Sequence, residues 1–562
     1  MDFKEEIINL LKKEVKTEIN LEIPPNYTLG DFAFPCFSLA KIYKKNPNEI
    51  SKELSMKLKA PFLEKIESNG PYVNFFINRK LFAENIITNF SKKFDQKLKS
   101  VHGKTNNLKE ILVEFCHANT HKAFHVGHTR NICIGESICR ILESMNNKVI
   151  RVNYQGDIGM HVAKTIYGLL NLKKLKLKEP KKDKGKWLGV VYSLASNLYK
   201  DEKIAKEINE INQKLYSGDK KLEKLWKKTR QWSIDYFEKN VYPDFNVKFK
   251  RFYFESQVEK NGVKIVKKLL KQNYAKLDQG AILVDLSEFN LGVFLILKSD
   301  GNPLYSTKDL ALAELQEKEF DPDLMIHVVG TEQSLYFKQL FKTIGLYNKT
   351  LAEKEIHIPY ETVNGLDGKK VASRGNKVIL YDDTLMEMTN LAKKEIKNKW
   401  PEIKEKELEQ RSKIIALSAI KYTMLSQDTK KVIIFDQEKA LSFEGDTGPY
   451  LLYSYARANS ILRKIKNKKF KLKINDINDP EYLLVNKISK YNEVLKKSSE
   501  QFNPSLIANY SFELAKLFNE FYHSSQVLGS GREEFLINLV LAFKETMKKS
   551  LNLLGIETLE KM

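Results

Sequence analysis

Apolar and polar positions follow two rhythms along the chain. After Gly70–Pro71, Y-V-N-F-F-I at Tyr72–Ile77 alternates like a short strand, and residues 39–43, after the G-D-F-A-F-P turn, repeat like a helix. With the amphipathic amino end, these predict a small α+β domain over residues 1–105, closing in a Lys/Asn-rich linker at 97–109. An apolar run at 111–115 predicts a buried strand, the pattern to about Met145 a long helix, and 148–154 a second strand. That is the βαβ order of a doubly wound parallel sheet. A Lys-dense helical stretch at about 165–245 interrupts it and reads as a solvated surface insertion. Strands at Ala281–Asp285, 293–298 and 324–329 are expected to resume the sheet. From about Asp382 nearly every segment has helical period, so the last third is expected to be an all-α bundle. The predicted plan is a domain at 1–105, a central α/β domain at 106–385 and a helical region at 386–562.

The junction of the first central strand and the long helix carries the densest chemistry. The stretch from Glu114 to Arg130, E-F-C-H-A-N-T-H-K-A-F-H-V-G-H-T-R, holds four of the nine histidines. A His-X-Gly-His sequence at a strand-to-helix turn suits a polyphosphate. The helix N-terminus offers unpaired N–H groups, and Gly127 lets a nucleotide approach the backbone. His125 and His128 can donate hydrogen bonds to phosphate oxygens as charge builds there. Taken alone the motif has a high false-positive risk, and His117 and His121 read equally as ordinary loop histidines. G-D-I-G at 156–159 adds a tight turn at the same edge, where open α/β sheets bind ligands.

Composition changes the picture in two respects. The chain of 562 residues is 42% hydrophobic and 29% charged, ordinary for a globular protein, but its net charge is +23. That excess favours a polyanionic partner, nucleic acid or an acidic membrane face, although much of it is Lys on solvated helix faces. Cys36, Cys116, Cys133 and Cys139 show no C-x-x-C pair and no zinc-like spacing. Free buried thiols in a reducing compartment are expected, with no metal site in the protein. No apolar run is long enough to span a membrane, and the N-terminus does not resemble a signal peptide. A cytoplasmic protein without membrane partners is expected.

Several separated blocks together resemble the class I arginyl-tRNA synthetases, in that family's order and over nearly the whole chain. They are H-A-N-T-H-K-A-F-H-V-G-H-T-R-N, N-Y-Q-G-D-I-G-M-H from Asn153, D-G-N-P-L-Y-S-T-K-D-L-A from Asp300, V-V-G-T-E-Q from Val328, and E-G-D-T-G-P-Y-L-L-Y-S-Y-A-R from Glu444. The resemblance implies a Rossmann-type catalytic domain, an N-terminal domain that grips the tRNA elbow, and an anticodon-binding bundle from about residue 444. It implies that Asp309 and Tyr305 hold the arginine guanidinium, helped by Glu114, while Asn119 and Gln333 hold the amino end. A carboxylate suits this substrate because a guanidinium presents a planar fork of donors and keeps its charge. Alone, Asp309 in T-K-D-L also fits a helix cap.

The resemblance weakens at the second class I signature. The loop at 368–383 has Ser373 and Arg374, but Gly375 stands where K-M-S-K-S carries its second lysine. Many arginyl enzymes share this, and Lys122, three residues before His125, matches a lysine that supplies the missing charge. As a separate reading, Lys122 is a solvated loop residue. On the segment from Glu444, Leu451, Leu452, Tyr455, Ala458 and Leu462 form an apolar stripe. Tyr450, Tyr453, Arg457 and Lys464 project elsewhere, where rings can stack on bases and cations meet phosphates. A tyrosine-rich packing face is the plainer alternative.

The implied reaction joins L-arginine to its tRNA through arginyl-adenylate, at the expense of ATP with Mg²⁺ on its phosphates. His125, Gly127, His128, Ser373 and Arg374 would bind ATP, and His125, His128, Lys122 and Arg374 would serve the chemistry. A monomer without an editing domain is expected. A tRNA-binding paralogue of weak activity and a small-molecule H-X-G-H nucleotidyltransferase remain as alternatives.

Overall fold

A computed structural model of the chain describes residues 2–24, 26–96, 108–366, 368, 379–465, 474 and 476–562. Strands β1 (Phe32–Pro35), β2 (Leu63–Asn69) and β3 (Tyr72–Ile77) form an antiparallel sheet in the order β1-β3-β2. Helices Phe3–Lys12 and Pro47–Lys57 bury Ile7, Leu11, Ile50 and Leu54 with Phe34 and Phe75. Strand β2, L-E-K-I-E-S-N, has no fully buried residue, so its charged alternation gave little apolar signal.

The long helix and its two flanking strands lie where the pattern placed them, as β4 (Glu110–Glu114), Val126–Ser144 and β5 (Lys148–Gln155). Strand β6 (Arg251–Phe254) follows the insertion. Next, β7 (Lys276–Asp278), β8 (Ala281–Asp285) and β9 (Val293–Leu297) make a separate antiparallel sheet, which corrects the expectation that β8 and β9 continue the parallel one. The link at 286–292 explains it. Parallel neighbours need a crossover of roughly a dozen residues, whereas this link permits only a hairpin-like return. Strands β10 (Leu324–Gly330) and β11 (Glu355–Tyr360) complete the central sheet, all parallel, in the order β11-β10-β4-β5-β6. Winding reverses between β4 and β10, and a crevice opens beyond their carboxyl ends.

The insertion forms helices Met160–Leu170, Lys184–Leu198, Glu202–Tyr216 and Lys220–Tyr236 around Val162, Ile166, Ile208 and Trp226. It is more than a solvated appendage. The Trp226 indole donates to the Asp157 carbonyl at 2.5 Å, and Arg230 pairs with the Asp157 carboxylate at 2.6 Å, bracing the turn after β5.

Seven longer helices from Tyr381–Lys399 to Glu533–Leu553 build the carboxyl-terminal third. Leu451, Leu452, Tyr455 and Ala458 are buried as the stripe predicts, and Leu462 is half-buried. All four thiols are buried and free. Among the described residues, no helix is long and apolar enough to cross a membrane.

The amino-terminal domain is anchored to this bundle. Tyr482 donates to Asp31, Arg79 lies 4.7 Å over the Tyr482 ring and pairs with Asp479, and Phe82 packs beside the same ring. Tyr482→Phe strips a hydroxyl from a largely buried carboxylate, so it is expected to cost about 1–3 kcal/mol and lower the melting temperature. An unchanged melting temperature would show that this contact does not hold the two parts together.

Candidate active site

The loop between β4 and the long helix bends through three non-glycine residues with left-handed backbone: Cys116 (φ 83°), His117 (φ 52°) and His121 (φ 63°). Such conformations cost about 1–3 kcal/mol each and persist only when the surroundings fix them. Here they do. Asn131 accepts from the Cys116 N–H and donates to the Val328 carbonyl at 2.7 Å, tying the loop to β10. Asn153 accepts from the His117 N–H at 3.1 Å, and Ser233 of the insertion accepts from the His121 N–H at 2.9 Å. The His121 ring, fully buried between the Thr120 and Thr229 hydroxyls at 2.9 and 2.8 Å, is structural. His117 differs: its Nε2 is sealed from solvent without a partner and it lines the crevice.

His125 caps the long helix, its Nδ1 accepting from the Gly127 N–H at 3.1 Å, while His128 Nδ1 accepts from the His125 N–H at 3.3 Å. The rings stack with centroids 3.7 Å apart. Because each Nδ1 is an acceptor, each neutral ring carries its proton on Nε2 and remains a donor. Burial, reinforced by Lys122, lowers His125 to about 4; burial with His125 and Lys122 holds His128 well below its usual value. Both are therefore neutral donors near pH 7, and among the described residues lining the crevice the positive charge at this end comes from Lys122. That lysine lines the crevice 5.4 Å over the Tyr192 ring of the insertion.

The crevice, about 690 Å³, brings together Glu114, Asn119, Lys122, His125, Gly127, His128, Tyr305, Asp309 and Gln333. Asn119 Oδ1 accepts from the Gly156 N–H at 3.0 Å, and a Cβ on Gly156 would stand 2.6 Å from that oxygen, so any side chain there would displace Asn119. Tyr305 opens the helix Tyr305–Phe320 at the mouth, 68% exposed. Asp309, one turn on, is not a cap, since Leu304 precedes the helix and Thr307 serves its N–H at 2.9 Å. Asp309 Oδ2 accepts from Tyr336, whereas Oδ1 is sealed from solvent with no partner. Burial pushes this carboxyl up to about 7 despite that hydrogen bond.

Glu114 is more encumbered than its motif implies. It accepts from Gln316 and from His327 Nδ1, the latter at 3.1 Å, so the sequence reading missed His327, Gln316 and Tyr336. Only the period of their elements could have flagged them as inward-facing. Ser373 and Arg374 lie outside the described residues. Beside them, the Val126 N–H donates to the Ile379 carbonyl at 3.2 Å and Leu380 bridges to His125, so the chain after that loop abuts the first signature.

In the bundle, Tyr453 and Arg457 line a second cleft of about 1080 Å³ with Trp400, Arg411 and Tyr522. The Arg457 guanidinium sits 4.6 and 4.5 Å from the Tyr453 and Tyr522 rings. Tyr450 instead packs on Phe512 and accepts from Asn519 at 2.9 Å, as a partly buried core residue.

Three family models match: the N-terminal domain of arginyl tRNA synthetase (residues 2–77), the class I (R) tRNA synthetase catalytic domain (91–437) and the DALR anticodon binding domain (451–562). The arginine–tRNA ligases of Clostridium beijerinckii and Clostridium perfringens are each 34% identical, with all of both chains covered. Among solved structures, the Thermus thermophilus arginyl-tRNA synthetase superposes with a TM-score of 0.79 at 26% identity, covering 100% of this chain and 99% of that one. The Plasmodium falciparum enzyme shares the fold, with a TM-score of 0.75 at 22% identity over 100% and 98%. Matched from end to end in sequence and in the architecture of all three parts, the chain belongs to the arginine–tRNA ligase family of class I tRNA synthetases.

Proposed function

We propose that the protein attaches L-arginine to its tRNA through an arginyl-adenylate. The observation that carries the substrate choice is the buried, partnerless Oδ1 of Asp309, a residue that lines the same crevice as His125 and His128. A buried carboxylate oxygen without a donor calls for a cation with directed N–H groups, and the guanidinium supplies them. Tyr305 at the mouth and Glu114 at the carboxyl end of β4 are assigned to the guanidinium with Asp309, and Asn119 and Gln333, which line the same crevice, to the amino end.

The arginine carboxylate attacks the α-phosphorus of ATP in line, and pyrophosphate leaves. No side-chain nucleophile is needed; positioning and charge stabilisation carry the step. The Nε2–H groups of His125 and His128 donate to oxygens that gain charge, Lys122 adds a cation, and Gly127 admits the nucleotide. Ser373 and Arg374 are assigned to the phosphates from the opposite side. Mg²⁺ enters with ATP as part of the substrate; among the described residues, no group of three or more His, Cys, Asp or Glu side chains forms a metal site. A ribose hydroxyl of the tRNA's terminal adenosine then attacks the arginyl carbonyl and AMP leaves, while Tyr453 and Arg457, with Tyr450 behind them, serve the anticodon end. We assign the protein to the cytoplasm as a monomer.

Arginine-dependent exchange of pyrophosphate into ATP, run with and without tRNA, tests the reading. Exchange with arginine and with no other amino acid supports it. Tight tRNA binding without exchange would favour the silent paralogue, and exchange with another small molecule the nucleotidyltransferase.

A pH dependence follows from Asp309. Its carboxyl is neutral below about 7 in the free protein, yet the guanidinium needs the carboxylate. Arginine KM is therefore expected to rise as pH falls below 7, approaching tenfold per unit, roughly 1.4 kcal/mol. A KM flat between pH 5.5 and 8 would refute the role.

A further inference from the structure

Beneath the amino-acid site runs a buried chain of three ionisable groups. His327, in the middle of β10, bonds through Nδ1 to Glu114 at 3.1 Å and through Nε2 to Glu355, the first residue of β11, at 2.5 Å. The three side chains are only 7%, 4% and 1% exposed, and the rings of Phe337 and Phe341 lie 5.7 and 5.9 Å from the imidazole. All three line the crevice that holds Asp309.

An ionised carboxylate only accepts hydrogen bonds, so an imidazole serving two of them at once must donate from both nitrogens as the imidazolium. Burial opposes that charge, but Glu355 and Glu114 together hold His327 well above its usual value, and His327 in turn keeps Glu114 ionised against its own burial. Two carboxylates and one imidazolium leave a net charge of −1. Gln316 fixes the other Glu114 oxygen, so the carboxylate is oriented from two sides. Each oxygen still has a lone pair for a further donor.

We infer that His327 is a specificity-determining, positioning residue of the arginine site: held between Glu114 and Glu355, it orients the Glu114 carboxylate and fixes where the chamber presents its negative charge to a guanidinium. This rests on the arginine reading above. Without His327 two carboxylates share a dry pocket with no cation and one takes up a proton, so the net charge stays at −1 but Glu114 is no longer held as an oriented acceptor. Without Glu355 the group becomes neutral, and Asp309 alone is left to favour a cation over an isostere of the same shape, so the preference narrows.

The test is steady-state pyrophosphate exchange with tRNA present, with citrulline, the neutral isostere of arginine, as a competing ligand. His327→Leu is expected to raise arginine KM at least ~tenfold with ATP KM within about twofold, and His327→Gln, which still donates to Glu114, to recover most of the loss. If His327→Leu does not fold, Glu355→Gln decides: it should raise arginine KM about tenfold and narrow the preference for arginine over citrulline. Arginine KM unmoved in whichever variant is measured, or arginine and ATP KM rising together, overturns the inference. A parent chain without arginine-dependent exchange instead overturns the proposed function, so the two failures are distinguishable.

Discussion

Replacing His128 with alanine is expected to lower kcat for adenylate formation ~100-fold or more while leaving arginine KM nearly unchanged. The structure says why the effect belongs to the transition state. The Nδ1 of His128 is occupied by the His125 N–H, which leaves Nε2–H as the donor facing the crevice. Burial with the neighbouring His125 and Lys122 keeps the ring neutral, so it contributes a directed dipole and no charge. A donor of this kind gains most when charge accumulates on the phosphate, and losing one costs roughly 3–4 kcal/mol. Alanine also removes a cap on the first turn, worth about 0.5–2 kcal/mol of stability. A melting curve taken beside the kinetics separates the two losses, because weakened capping alone lowers the melting temperature and leaves kcat in place. Adenylate formation at the parental rate by a folded variant would refute the assignment.

The parts of this site that were legible in the sequence are those whose chemistry is local. H-V-G-H is compact: two histidines three residues apart cap one helix and stack on each other, and both the motif and the turn follow from adjacent residues. Asp309 and Tyr305 were legible for the same reason, since a spacing of four puts both on one helix face. What stayed hidden depends on strand order. His327 meets Glu114 only because β10 lies beside β4, with His327 paired directly to Glu114 in the parallel register. It meets Glu355 only because β11 continues the sheet. Strand β6 escaped notice because R-F-Y-F is four residues long and follows the helical insertion. The insertion itself looked solvated because its charges outnumber its contacts with the catalytic loop. Yet Thr229, Trp226 and Arg230 fasten that loop and the turn after β5, and a lysine-rich composition conceals three such anchors.

Asp309→Asn is expected to raise arginine KM by more than tenfold and to leave ATP KM nearly unchanged. The substitution keeps volume and keeps an acceptor for Tyr336, so it isolates charge. It exchanges the partnerless Oδ1 for an oxygen of weaker basicity or an NH₂ that points a donor at a donor. Truncating one side of a desolvated, hydrogen-bonded charge pair costs about 2–5 kcal/mol, which spans roughly thirtyfold to several thousandfold in affinity. Two further consequences distinguish this reading from a general disturbance. The rise of arginine KM below pH 7 should vanish in the variant, since the group that titrates there has been removed. The free protein should also be no less stable than its parent at pH 8, because the parent then carries a buried carboxylate with one oxygen unpaired, and such a group costs more than a neutral amide. Parental arginine KM in the Asp309→Asn variant would return Asp309 to the status of a structural residue. Loss of ATP binding in step with arginine would point to collapse of the crevice instead.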